Sequence, residues 1–308
     1  MTNYQSTSHI LMIRPVNFGF NKETAGSNAF QNWNTDKTDV HEKALHEFDG
    51  MVKTLRDNDV DVIVIEDTMD PYTPDSIFPN NWVSFHEDGT IFLYPMQAEN
   101  RRLERRKDII KQLRSRFKVK QVIDLSKFEQ EDKFLEGTGS MVPDRENKIV
   151  YACLSSRTNP DILALFCENA GYKSICFDAL DANNQAIYHT NVLMCIGSKF
   201  AVICLDSIPN LHEKLMVTES LKSCQKEVIA ISFDQMNKFA GNMLEVQNKA
   251  GERLIVMSQN AYNSSNESQK TTLKKYGKLV YADINTIENN GGGSARCMMA
   301  EVHLPVIF

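Results

Sequence analysis

Four stretches of the chain hold side chains that could attack an electrophilic carbon and move protons around it. NNGGGSARCMMAEVHLP (289–305) carries Cys297 just after a run of three glycines. FLEGTGSMV (134–142) sets Glu136 directly before a Gly-x-Gly. IYHTNVLMCIG (187–197) places His189 and Asn191 ahead of an apolar run, and PDSIFPNNWVSFH (74–86) places Asp75 upstream of Asn80 and Asn81, which lie between Pro79 and Trp82. A thiolate adds to an sp² carbon, an imidazole passes protons to the leaving group and takes them from water, and a carboxylate orients the imidazole or holds substrate nitrogens. A thiol, an imidazole, a carboxylate and carboxamides in one pocket would make a cysteine-based hydrolase or transferase. Each has a plainer reading alone: Cys297 as a core thiol, His189 as a hydrogen-bonded structural histidine, Glu136 as a turn marker, and Asn80-Asn81 as a turn pair after proline.

The elements that must position these residues recur. Hairpins are expected at 81–95, 139–155, 191–206 and 242–258, with turns at Asp88-Gly89, Gly197-Ser198 and Ala250-Gly251. Each is followed by an amphipathic helix (98–116, 160–171, 209–223, 265–276) and then a short strand. A strand at 9–15, a helix at 39–58 and a strand at 60–66 open the chain, and an apolar, strand-like tail ends it. The unit of hairpin, helix and strand returns about every 50 residues, a period that points to a ring of supersecondary units. Four copies are visible, and joining the two chain ends makes a fifth. In such a ring, equivalent positions gather at one end of the central channel, and the residues above occupy equivalent positions. No Pro/Gly/Ser-rich linker interrupts the chain, so one domain over 1–308 is expected.

The 308 residues are 42% hydrophobic, enough for a large core, and the net charge of −6 argues against a nucleic-acid surface. The basic runs at 101–107 and 111–120 interleave with apolar residues and read as the solvated face of a helix. No apolar run reaches the ~18 residues of a membrane span, and the first residues do not read as a signal peptide. Seven cysteines without a CxxC pair, four of them (Cys153, Cys176, Cys195, Cys204) in apolar strands, suggest reduced thiols and a cytoplasmic location. The histidines show no metal-binding spacing, so neither a metal nor an organic cofactor is expected.

Over nearly its whole length the chain resembles the pentein, or guanidino-group-modifying, superfamily, which includes arginine deiminase, dimethylarginine dimethylaminohydrolase, the amidinotransferases and a bacterial citrulline-utilisation branch. LEGTGSMV is similar to the superfamily's Glu-Gly-Gly-Asp segment, HTNVLMC to its His-x-Asp segment, and GGGSARCMMAEVHLP to its nucleophile loop. The resemblance therefore implies catalytic roles for Glu136, His189 and Cys297. CLSSRTNP (153–160) is similar to a segment whose arginine grips the substrate carboxylate, which implies that role for Arg157. The implied fold is an α/β five-bladed propeller of ββαβ units. RPVNFGFN (14–21), FPNNWVSFH and GGGSARCM are closest to the citrulline-utilisation branch.

The chain departs from the superfamily pattern at several positions. Glu136-Gly137-Thr138-Gly139 lacks the terminal Asp, Asn191 stands for the Asp of His-x-Asp, and Asn80 and Asn81 replace an acidic pair that several relatives use on a guanidinium. Burying an unpaired cation is costly, whereas a carboxamide offers one donor and one acceptor to a neutral ureido group. Asn80, Asn81, Asn191, Arg157 and Asp75 are thus the expected substrate-binding residues, and a small amino acid, citrulline first, is the expected partner. Asp75 and Glu136 leave arginine or methylarginine open. Amidino transfer to an amine and a homodimer also stay open. The non-enzymatic alternative is a ribosome-binding factor of the same fold, against which the acidic charge and the Glu/His/Cys set both speak.

Overall fold

The structure is a computed structural model that describes residues 4–307 apart from 27, 29 and 32–38. The chain opens with β1 (His9–Arg14), α1 (Val40–Asp57) and β2 (Asp61–Glu66). The next unit comprises β3 (Val83–Phe85), β4 (Thr90–Leu93), α2 (Glu99–Arg102), α3 (Lys107–Leu113) and β5 (Gln121–Asp124). The third has the one-turn helix α4 (Gly137–Ser140), β6 (Val142–Asp144), β7 (Ile149–Cys153), α5 (Pro160–Ala170) and β8 (Lys173–Phe177). The fourth repeats this pattern with α6 (Thr190–Leu193), β9 (Met194–Ile196), β10 (Phe200–Ile203), α7 (Leu211–Ser223) and β11 (Glu227–Ala230). The fifth contains α8 (Phe233–Met236), β12 (Leu244–Gln247), β13 (Arg253–Ser258), α9 (Gln259–Ser264), α10 (Glu267–Lys274) and β14 (Lys278–Ala282), and the chain ends with α11 (Asn285–Gly291) and β15 (Ala300–Glu301).

These strands form five three-stranded sheets of one design. A hairpin pairs the first two strands antiparallel, and a helical crossover brings the third in parallel beside the second, as in β3–β4–β5. The first sheet takes its missing strand from the other end of the chain: β15 pairs antiparallel with β1, Ile10 opposite Glu301 and Leu11 opposite Ala300. The result is the α/β five-bladed propeller of ββαβ units. The strands β3, β6, β9 and β15 are short and wholly buried, and neighbours pack side by side, β15 beside β3 and β9 between β6 and β12. On the outside, α1 turns Ala44, Phe48, Met51, Val52 and Leu55 inward at helical spacing. They pack with Ile10, Met12 and Val62 of β1 and β2.

The helix expected over 98–116 is two helices, α2 and α3. Arg101 and Glu104 pull the break inward. Both are buried, and they pair at 2.9 Å between Arg101 Nε and Glu104 Oε1. Arg101 is therefore not on a solvated face, because its charge partners lie in the interior rather than in water. The expected tail strand shrinks to the two residues of β15, and Asn285–Gly291 form a helix that the polar sequence NTIENNG did not suggest.

Candidate active site

Glu136 and His189 are the N-cap residues of α4 and α6, equivalent one-turn helices in successive units, and neither side chain caps its helix. Ser, Thr, Asp or Asn would normally fill that position to satisfy the free N–H groups. Here the two side chains turn to each other instead, with His189 Nε2 2.8 Å from Glu136 Oε2. Gln97 N–H donates to Glu136 Oε1 at 3.0 Å, and Arg157 Nη1 lies 3.4 Å from Oε2. Burial would raise the Glu136 carboxyl, but Arg157, the His189 hydrogen bond and Arg101 outweigh it and hold the group below the usual carboxylate range. Burial is the main reason His189 drops to about 4; the hydrogen bond to Glu136 opposes the drop, and Arg157 and Arg101 add to it. A neutral imidazole donating from Nε2 to an ionised carboxylate keeps Nδ1 as its basic nitrogen.

Gly139 explains the Gly-x-Gly after Glu136. A Cβ there would lie 2.4 Å from Asn81 Nδ2 and 2.9 Å from His189 Nδ1. Only glycine lets the carboxamide and the imidazole close in on this turn.

Cys297 sits in the turn that follows α11, with its N–H donating to Ser294 O at 2.9 Å. The turn is pinned from below: Ser294 Oγ donates to buried Glu288 at 2.5 Å, and Asn260 Nδ2 donates to the same carboxylate at 2.6 Å. Gly291 and Gly293 lie flat against Phe78, where added Cβ atoms would come within 2.7 and 2.9 Å of the ring. The glycine run thus lets the loop fold down onto the 75–82 segment. The Cys297 sulfur accepts from Asn191 Nδ2 at 3.4 Å and Asn242 Nδ2 at 3.3 Å.

A narrow cleft joins these groups, lined by Asp75, Asn81, Arg101, Arg157, Tyr188, His189 and Cys297 with Asn28, Phe78 and the three glycines. A wider surface groove, about 920 Å³ between α1 and the 281–286 segment, lies elsewhere and holds neither Cys297 nor His189. Of the expected residues, Asn80 faces away from the cleft, donating to Thr138 Oγ1 at 3.2 Å. Asn191 reaches the sulfur rather than the cleft wall. Asn81 is held by Arg101, whose Nη1 donates to its Oδ1 at 2.8 Å, which turns the Asn81 amide nitrogen toward Gly139 and the cleft. Asp75 accepts from Asn21 Nδ2 at 2.7 Å through Oδ2, and Arg101 Nε lies 3.8 Å from the same oxygen. Asp75 Oδ1 and Asn81 Nδ2 have no partner among the described residues. Arg157 lies 4.8 Å over the Tyr188 ring, and Tyr188 OH donates to Gly292 O at 2.7 Å.

Arg101, Tyr188 and Asn242 are among the residues of the site that escaped sequence reasoning. A signal existed for Asn242, since NMLEVQ (242–247) repeats the pattern of NVLMCI (191–196) one unit later. Among the described residues no three His, Cys, Asp or Glu side chains cluster as metal ligands, and no helix is long and apolar enough to cross a membrane.

Comparison with known proteins gives the family and the fold. The family model described as N,N dimethylarginine dimethylhydrolase, eukaryotic, matches residues 14–304. No curated protein sequence matches the chain. Among solved structures, ArgZ, an arginine dihydrolase from the ornithine-ammonia cycle in cyanobacteria, superposes with TM-score 0.76 at 16% identity. The likeness covers 97% of this chain but 41% of full-length ArgZ, and 99% of the isolated ArgZ N-terminal domain. The DDAH of Pseudomonas aeruginosa, complexed with citrulline as a mutant, superposes with TM-score 0.63 at 15% identity, covering 96% of this chain and 99% of that one. At such identities these likenesses carry the fold, while the family rests on the family model. The chain belongs to the N,N-dimethylarginine dimethylhydrolase family of the pentein, guanidino-group-modifying superfamily, whose enzymes act on carbon–nitrogen bonds.

Proposed function

We propose that the chain is a cysteine-dependent hydrolase of the ureido or guanidino C–N bond of an arginine-like amino acid, with citrulline as the preferred substrate. The observation that carries the reading is a thiol and a neutral imidazole, backed by an ionised carboxylate, on one buried cleft. His189 takes the Cys297 proton as the sulfur adds to the substrate carbon, and delivers it to the departing nitrogen. The C–N bond breaks and a C–S adduct remains. His189 then takes a proton from water as the water oxygen attacks the adduct, and the C–S bond breaks to return the sulfur, which regains the proton. Glu136 holds the imidazole. Arg157 is the proposed partner of the substrate carboxylate, and Arg101 lines the same cleft with a second guanidinium.

The substrate choice rests on Asp75 Oδ1 and Asn81 Nδ2, two cleft atoms without a partner among the described residues. Asp75 Oδ1 calls for a donor and Asn81 Nδ2 for an acceptor. A ureido group has N–H donors and a carbonyl oxygen and can meet both, whereas a guanidinium has donors only. A second reading, arginine or a methylarginine, draws support from the buried Asp75 carboxylate, beside which a cation would be favourable. Hydrolysis of a methylarginine yields citrulline, so two solved relatives, an AgrE mutant with L-arginine and the Pseudomonas DDAH mutant with citrulline, both fit this second reading.

The test is product release from citrulline, arginine and methylarginines, with mass-spectrometric trapping of the Cys297 adduct. A kcat/KM for citrulline above that for the cations is expected, and Asn81→Asp should lower citrulline turnover and improve arginine binding. A much higher kcat/KM for arginine or a methylarginine overturns the substrate, and no adduct with any of them overturns the chemistry.

A further inference from the structure

The Cys297 sulfur meets two carboxamides, and they differ in how firmly they are oriented. An amide can be turned end for end, so an N–H donated to sulfur means most where other partners fix the orientation. For Asn191 nothing else does: its Oδ1 has no partner among the described residues. For Asn242 two backbone groups do. Its Oδ1 accepts the Arg296 N–H at 3.0 Å, so that end must be the oxygen. Its Nδ2 donates to Asn191 O at 2.8 Å, so that end must be the nitrogen. The second N–H of the same group then points at Cys297 Sγ, 3.3 Å away. Asn242 is fully buried, so no water competes for these bonds. It also ties together the residue before Cys297 and the segment after His189.

We infer that Asn242 is a positioning residue of the reaction, which donates a fixed hydrogen bond to the Cys297 thiolate and sets the nucleophile loop against the His189 segment. It occupies, in the fifth unit, the place Asn81 and Asn191 hold in theirs, just ahead of a short buried strand. The inference rests on the proposed role of Cys297 as nucleophile and deepens it. A hydrogen bond to an anion is worth more than one to a neutral group, so its loss should fall on the thiolate more than on the thiol.

The experiment reads the sulfur without any substrate. Iodoacetamide alkylates a thiolate with loss of iodide, and the rate of Cys297 labelling is followed against pH by mass spectrometry in wild type, Asn242→Ser and Asn191→Ala. In Asn242→Ser the pH of half-maximal labelling should rise by about one unit, so that labelling at low pH slows about tenfold while the rate at high pH is kept. In Asn191→Ala the rise should be smaller. A labelling rate lowered equally at every pH, with the midpoint unmoved, would mean a purely structural role and overturn the inference. If Asn242→Ser does not fold, Asn242→Gln supplies the same reading, because it keeps the donor but displaces it. An unmoved midpoint in a folded Asn242→Gln likewise overturns the inference. Failure here with turnover intact rejects the role of Asn242 alone, whereas a shifted midpoint without turnover of any ureido or guanidino compound rejects the proposed reaction alone.

Discussion

Side chains of one type take different chemical parts here because their surroundings differ. Cys153 and Cys195 are buried in strands, and burial pushes both thiols up to about 12. Cys297 lies on the cleft with two amide donors at its sulfur. Iodoacetamide at neutral pH should therefore label Cys297 first, and Cys297→Ser should abolish turnover while leaving the circular dichroism spectrum unchanged. Labelling of Cys153 or Cys195 ahead of Cys297 contradicts this. Gly139 gives a second test. With Asn81 Nδ2 2.4 Å and His189 Nδ1 2.9 Å from the added Cβ, Gly139→Ala must displace one or both. A shift of even an ångström in a reacting group can cost roughly 100-fold in rate. A loss of kcat of about that size in a folded variant is expected, and unchanged kinetics would show that His189 tolerates the shift.

The one-turn helices α4 and α6, ahead of β6 and β9, have given up a side-chain cap to a residue of the candidate site. Glu136 and His189 stand where a capping side chain would sit and leave their helices uncapped. The peripheral helices α5, α7 and α10 keep theirs. Asn159 begins α5 and accepts from Asp161 N at 2.9 Å and Ile162 N at 3.3 Å. Asn159→Ala should cost about 1 kcal/mol of stability in urea titration and leave kcat unchanged. A change in kcat would couple α5 to the site in a way these contacts do not suggest. The periodicity of the sequence gave the outer helices and hairpins in their places, since apolar side chains at helical or alternating spacing must face a core. It overran at 98–116 because Arg101 is drawn inward by Glu104 and Asp75, and no local pattern carries the position of Asp75.

Ring closure depends on the two ends of the chain meeting. β15 completes the first sheet, and the end of the inner strands remote from the cleft is stitched by polar groups. Gln5 Nε2 donates to Pro143 O at 3.0 Å and Ile196 O at 3.2 Å, and its Oε1 accepts from Arg145 N at 2.8 Å. Glu301 pairs with Arg296 at 2.7 Å and Arg145 at 3.6 Å, and His303 Nε2 lies 3.4 Å from it. Burial first, then Arg145, lowers the His303 pKa to about 4 against the pull of Glu301. The native protein therefore keeps His303 neutral where the unfolded chain, with an ordinary histidine near 6.5, takes up a proton. Its contribution to stability falls as pH drops between these values, by about 1.4 kcal/mol per unit. The stability of His303→Gln relative to wild type should accordingly rise between about pH 6.5 and pH 4, measured by urea unfolding at each pH. A relative stability that stays flat or falls over that window refutes the assignment.

The sequence by itself determined the repeated unit, the order of its elements and the types of the candidate reactive residues, because hydrophobic period, turn residues and motif spacing are local. That covers Cys297, His189, Glu136 and the glycines around them. Only the tertiary structure decided which polar side chains share the cleft. Asn80 and Asn81 are neighbours in sequence, yet one bonds Thr138 and the other faces the cleft, because adjacent residues of a tight turn point in different directions. Arg101 and Asn242 join the site through partners far away in the chain, Asn81 for the first and Cys297 for the second. A buried charge or amide takes its role from whatever group the fold sets beside it, and only ring closure brings those groups together.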